Sequence, residues 1–135
     1  CKIEKDYNLV GWAKQGVFLL NTCLTVEKGK PASHSKIGWQ TFTNFVLVKL
    51  LQDPSPKVFL IWGNHAKTAI NNALTSVGNV NNHLIIRGNH PASDLYKRNE
   101  GMQLIEDYPN TFIGGRYFSK ANNFLIKHTK REIIW

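Results

Sequence analysis

Acidic side chains are scarce in this chain: 9 Asp and Glu stand against 17 Lys and Arg, a formal net charge of +8 with pI ≈ 9.7. That imbalance favours a polyanionic partner, nucleic acid first and an anionic membrane surface second. No block of like charge is long enough to read as a charged tail. Cysteine is sparse as well. Cys1 and Cys23 make no disulfide framework, and neither has a Cys or His nearby at metal-ligand spacing. Cys23 follows an apolar run and is expected to be a small buried hydrophobe. Long apolar stretches are missing too. None reaches the ~18 residues of a membrane helix, and no secretory leader is recognisable. A reduced, intracellular, cytoplasmic protein is expected (nuclear or organellar in a eukaryotic cell), with no membrane partner. The chain opens on Cys1 rather than Met, which suggests a fragment or a processed start.

What remains is the composition of a globule. A length of 135 residues suits one domain over 1–135. A domain near that size buries roughly two-thirds of its unfolded surface.

The apolar pattern divides the chain. Residues 1–16 are polar and mixed, marked by Trp12 and Gly16. Val17-Phe18-Leu19-Leu20 is a short continuous apolar run, as in a strand buried on both faces. Residues 27–37 hold Gly, Pro, Lys and Ser and read as a loop. From Gly38 to Leu51, Trp39, Phe42, Phe45, Val46 and Leu50 recur at helical spacing. Asp53-Pro54-Ser55-Pro56 ends that helix. Val58–Trp62 reads as a second buried strand, broken by Gly63, and a helix is predicted from about 65 to 75. Asn71 through Asn82 is rich in Asn and Gly and reads as a turn. Leu84-Ile85-Ile86 is a third strand, ended by Gly88. Residues 96–111 fit no pattern, and a last helix follows Arg116. Strand–helix–strand–helix–strand argues for an α/β fold with a parallel sheet and helices on both faces. No internal repeat or linker is visible.

Several residues stand where such sheets bind ligands, just past the carboxyl ends of strands. Asn21 ends the first strand. Its amide offers a donor and an acceptor, which suits reading the edge of a base or another planar amide. It equally suits an Asx turn on nearby backbone. His90 precedes Pro91, which holds it in an extended or turn conformation. A neutral imidazole there could donate to an oxygen on which negative charge develops. A structural loop histidine fits the same spacing. His34, His65, His83 and His128 have weaker claims. Ser33, Ser35, Ser93 and Ser119, with Lys36, Lys97, Arg116 and Lys120, could position a phosphate backbone, or could simply be solvated. Gly114-Gly115-Arg116 leads into a helix and is an anion site in principle. No catalytic triad, Walker loop, dinucleotide fingerprint or zinc cluster is present. Asp94, Glu100, Glu106 and Asp107 are not paired at a strand end.

The order of these segments resembles the carboxyl-terminal part of a family 1 uracil-DNA glycosylase. The family's Gln-Gly-Val-Leu-Leu-Leu-Asn is matched by Gln15–Asn21, and its Leu-Thr-Val by Leu24-Thr25-Val26. Ser33-His34 and Gly38-Trp39-Gln40-Thr41-Phe42-Thr43 match Ser-His and Gly-Trp-x-x-Phe-Thr. Phe59–Gly63 matches the Leu-Leu-Trp-Gly strand, and His90-Pro91 the start of His-Pro-Ser-Pro-Leu-Ser. Phe118–Asn122 matches Phe-Ser-Lys-Ala-Asn, and Ile134-Trp135 the Ile-Asp-Trp ending.

The resemblance implies a three-layer α/β sandwich around a short central parallel sheet, here with the first strand missing. It implies hydrolysis of the N-glycosidic bond of uracil in single- or double-stranded DNA. The uridine is flipped into a pocket, and no metal or cofactor takes part. Asn21 would bind uracil and reject cytosine. His90 would be catalytic, donating to uracil O2. Ser33, His34, Asn64, Ser93, Leu95, Arg116, Ser119 and Lys120 would contact DNA, Leu95 as the wedge. A monomer is implied, with a proteinaceous glycosylase inhibitor as a further partner.

The chain departs from the family in three places. The Gly-Gln-Asp-Pro-Tyr-His segment, which carries the water-orienting Asp and lies upstream of the Asn strand, is absent; the chain alone is therefore expected to be inactive. The wedge loop reads His90-Pro91-Ala92-Ser93-Asp94-Leu95, with Asp94 in the place of the inserted Leu. Residues 96–111 make a longer segment than usual, and Asn64 stands where Ser or Ala is common. These departures suit an alternative, an inactive DNA-binding or processivity module with the same fold.

Overall fold

The computed structural model describes residues 9–30, 33–34, 37–78, 80–93, 112, 114–129 and 131–135. The elements are α1 (Val10–Lys14), α2 (Trp39–Gln52), β1 (Val58–Trp62), α3 (Asn64–Val77), β2 (Leu84–Gly88) and α4 (Tyr117–Thr129).

In α2, Thr43, Leu47 and Leu51 recur at i, i+4 and form the buried stripe. Asp53 stops the helix, taking the extended conformation that Pro54 demands of its predecessor. Its carboxylate accepts hydrogen bonds from the Ser55 hydroxyl at 2.7 Å and the Ser55 N–H at 2.8 Å, and pairs with Lys57 at 3.0 Å. Those donors hold the Asp53 carboxyl well below the usual carboxylate range. The turn they build delivers the chain into β1.

β1 and β2 pair in parallel, from Val58 opposite Leu84 to Trp62 opposite Gly88. The helix α3 supplies the crossover that a parallel pair requires. Alternation along β1 divides the core. Phe59 and Ile61 join Leu47, Leu51, Ile70 and Ala73 of α2 and α3 on one face. Val58 and Leu60 pack on the other face against Ala121 of α4, Ile133 and Trp135. Helices therefore cover both faces of the sheet, giving the expected three layers. His83 ties the far end together: one ring nitrogen lies 3.0 Å from the Leu51 carbonyl, and Nδ1 accepts the Lys57 N–H at 3.3 Å.

The carboxyl terminus is held by two side-chain amides. Asn122, 5% exposed, donates to the Ile133 carbonyl at 2.8 Å and accepts from the Ile133 N–H at 3.1 Å and the Trp135 indole N–H at 3.1 Å. Gln15 does the same for the backbone of Ile134.

Four expectations need correction. Val17–Leu20 is extended but pairs with no strand among the described residues, and Phe18 is 63% exposed. Val17 packs on one core cluster and Leu20 on the other, so the segment passes between the faces without a ladder neighbour to make it a strand. The turn expected from Asn71 begins only at Gly78. Ala73, Leu74 and Val77 pack into the core, which outweighs the weak helix preference of Asn71 and Asn72. Residues 10–14 form a helix where none was expected. Cys23 is only half-buried, its thiol 3.2 Å from the Thr25 carbonyl.

Candidate active site

Parallel pairing brings the carboxyl ends of β1 and β2 together, and the Gly63 N–H donates to the Gly88 carbonyl at 3.1 Å. Three helix starts face the same end. Asn64 begins α3 directly after Gly63. Tyr117 begins α4 with its ring seated between Gly88 and Gly115, where a Cβ on either glycine would collide with it. Leu51 near the end of α2 is tied through His83 to the start of β2, so the first turns of α2 lie toward the carboxyl ends. There the Thr43 hydroxyl donates to the Thr22 carbonyl at 3.3 Å and places Asn21–Thr22 beside α2.

His90 follows β2 by two residues and is exposed. Its Nδ1 accepts the Ala92 N–H at 3.1 Å, and its carbonyl accepts the Ser93 N–H at 2.9 Å. With Nδ1 taken as acceptor by that N–H, the ring position left to donate is Nε2. The ring rests against Gly63, where an added Cβ would stand 3.2 Å from the His90 Cβ. Gly63 has φ +86, a conformation that itself favours glycine.

Asn21 is exposed, and its amide has no hydrogen-bond partner among the described residues. The Asx-turn alternative is therefore not the arrangement adopted, and the edge of the amide is open to a ligand. No described hydrogen bond joins Asn21 to His90.

Ser33 and His34 form a separate group near the start of α2. The Ser33 hydroxyl accepts the Glu27 N–H at 2.7 Å, and His34 Nδ1 lies 2.9 Å from the Thr25 hydroxyl. Arg116 is exposed just before α4, at φ +48, and Ser119 and Lys120 are exposed in the first turn of that helix. Ser93 is half-buried in the turn after His90. Asp94, Leu95, the 96–111 segment, Ser35, Lys36 and Lys97 lie outside the described residues. His65 and His128 are exposed, His128 stacked on Phe124 at 4.1 Å.

Sequence reasoning missed Tyr117 and Trp62. Trp62 ends β1 inside a ring cluster, 4.9 Å from Phe112, 5.8 Å from Phe118 and 6.0 Å from Tyr117. Its buried indole N–H has no hydrogen-bond partner among the described residues. The available signal was the Gly114-Gly115 pair before an aromatic run, which marks a close approach of backbone and ring. Among the described residues no group of His, Cys, Asp and Glu could hold a metal ion, and no helix is long and apolar enough to cross a membrane. A cavity of about 440 Å³ lies at the opposite end of the strands, lined by Leu51, Asp53, Val77, Asn82 and His83 among others. Its lining includes His83 but neither Asn21 nor His90.

A family model described as the uracil DNA glycosylase superfamily matches residues 3–126. The chain is 43% identical over 142 residues to a uracil-DNA glycosylase of Bordetella avium, covering 99% of this chain and 51% of that protein. It is 38% identical over 135 residues to a uracil-DNA glycosylase of Exiguobacterium sibiricum, covering 100% of this chain and 54% of that protein. With a uracil-DNA glycosylase 1 of Listeria monocytogenes it shares 41% identity over 127 residues, 94% of this chain and 50% of that protein. The chain thus spans about half the length of the curated relatives it matches.

Proposed function

The chain belongs to the uracil DNA glycosylase superfamily, and on that footing we propose that it supplies the base-reading and base-releasing groups of an enzyme that hydrolyses the N-glycosidic bond of uracil in DNA. We assign it to family 1 and to the carboxyl-terminal half of that enzyme. The order of its motifs and its coverage of about half of each relative support this assignment.

The observation that carries the reading is His90. As the bond from C1′ to N1 of uracil breaks, the electron pair goes to the base and negative charge gathers on O2. A neutral imidazole with Nδ1 already engaged by the Ala92 N–H aims its one donor, Nε2–H, at such an oxygen. Asn21, with its amide free, donates to uracil O4 and accepts from N3–H; cytosine presents the opposite polarity at position 4. Water adds at C1′, and the Asp that orients it belongs to the other half of the family pattern. Ser33, His34, Asn64, Ser93, Arg116, Ser119 and Lys120 hold the DNA backbone, and Leu95 takes the wedge position. The net charge of +8 suits that partner and suits an acidic protein inhibitor. A monomeric enzyme in the compartment that holds the DNA fits these roles.

The test is His90→Leu in the full product of the gene. Losing one donor to a developing anion costs about 10²–10³ in turnover, while affinity for a uracil-containing oligonucleotide stays near wild type. Near-normal turnover would remove His90 from the mechanism. Ala92 and Asp94 in the wedge loop favour a second reading, a DNA-binding module without turnover. Binding with no uracil release by the gene's full product would establish it.

A further inference from the structure

We propose that Thr25 is a positioning residue for His34: its hydroxyl, held by the indole N–H of Trp39, grips the imidazole at Nδ1 and leaves Nε2 to meet the DNA backbone. The inference rests on the reading of His34 as a phosphate contact.

One oxygen serves both partners. Trp39 Nε1 lies 2.6 Å from Thr25 Oγ1, and His34 Nδ1 lies 2.9 Å from the same atom. An indole N–H can only donate, so Thr25 Oγ1 accepts from Trp39. That leaves the single Thr25 O–H to be placed, and among the described residues His34 Nδ1 is the other side-chain atom shown in hydrogen-bond contact with it. In the proposed arrangement the hydroxyl donates to Nδ1 and the His34 proton sits on Nε2. Thr25 then donates once and accepts once, and the orientation of the ring is set by an atom that is itself anchored.

The anchor is built from the start of α2. Trp39 is the first residue of that helix and packs edge-on against Phe42 at 6.0 Å. The backbone around His34 is held as well. The Ile37 N–H donates to the His34 carbonyl at 3.3 Å, and the Ser33 N–H to the Lys30 carbonyl at 3.2 Å. His34 is half-buried while its described loop neighbours Lys30, Ser33 and Ile37 are exposed, so a ring without the Thr25 bond would have several rotamers open to it. Holding it in one lowers the entropy lost when a phosphate binds. Residues at this spacing are silent in the sequence, because Thr25, His34 and Trp39 meet only once the loop folds back on α2.

The experiment is a double-mutant cycle in the full product of the gene, reading affinity for a single-stranded, uracil-containing oligonucleotide. Thr25→Val keeps the shape and removes the hydroxyl. It is expected to weaken binding about fivefold, the worth of one net hydrogen bond. In a His34→Ala background the same change is expected to cost nothing further, and Thr25→Ser is expected to restore affinity. In the unliganded protein, Thr25→Val is expected to shift the His34 ring-nitrogen and Trp39 indole resonances together. A loss that persists in the His34→Ala background would show that Thr25 acts on the fold and overturn the proposal. So would resonances that stay at their wild-type positions. Unchanged affinity in His34→Ala would overturn it by way of the reading it rests on. That case is told apart because the resonances would still move with Thr25→Val.

Discussion

An amide with no partner among the described residues and an imidazole with one committed nitrogen are the two residues to which the proposed chemistry is assigned. Asn21 is exposed and unpaired among the described residues, so its donor and acceptor are both free for a base edge. In the proposed role, Asn21→Asp removes the donor assigned to uracil O4 and keeps the acceptor. A matched pair of hydrogen bonds to a base is worth about 1–3 kcal/mol. Uracil excision is expected to fall by up to about a hundredfold, read as kcat/KM on an oligonucleotide. Unchanged excision would separate Asn21 from uracil. The place of His90 just past β2 was legible in the sequence because an apolar run precedes it. The Ala92 N–H that sets its tautomer was not legible. That bond depends on the turn closed by the Ser93 N–H, which no spacing rule specifies.

At the scale of elements, periodicity revealed what packs against one face and missed what needs a neighbour. The helix α2 and the strand β1 appear where they were expected, but the buried stripe of α2 is Thr43, Leu47 and Leu51, while Phe42 and Phe45 of the expected repeat are 49% and 59% exposed. The end of α3 was set too early because Asn71 and Asn72 are exposed and poor helix formers, while Ala73 beside them is fully buried. Val17–Leu20 has the composition of a strand, but a strand is a relation between two segments, and no described segment pairs with it.

The joint between β2 and α4 went unread for a similar reason, with the Gly114-Gly115 pair its one sequence signal. It consists of a Tyr117 ring, 5% exposed, filling the space left by two glycines. Gly88→Ala puts a methyl group into that ring. Overpacking of this kind costs about 1–3 kcal/mol of stability, to be measured by denaturant unfolding, and a variant with wild-type stability would mean that the ring is free to move. The turn after α2 carries a pH signature. The Asp53 carboxyl is held below its ordinary value of about 3.9. Its contribution is present above that unfolded value and fades as pH falls toward the folded one. The stability gap between wild type and Asp53→Asn is therefore expected to narrow as pH drops below about 4. A gap that is constant with pH would show that the Ser55 and Lys57 contacts contribute nothing.

At the scale of the whole molecule, helices cover both faces of the two-stranded parallel sheet formed by the described residues, and Asn64 and His90 follow its strands at the carboxyl end. The far end is closed by His83 and the Asp53 turn, and Asn122 and Gln15 bind the last three residues to the body. That division of labour was partly readable beforehand, because polar residues after apolar runs mark a strand's carboxyl end. The basic surplus of 17 against 9 agrees with a polyanionic substrate. It does not distinguish turnover from binding. Uracil release from a single-stranded, uracil-containing oligonucleotide by the full product of the gene makes that distinction. The account predicts free uracil and an abasic strand. An oligonucleotide that is bound and returned intact would contradict it.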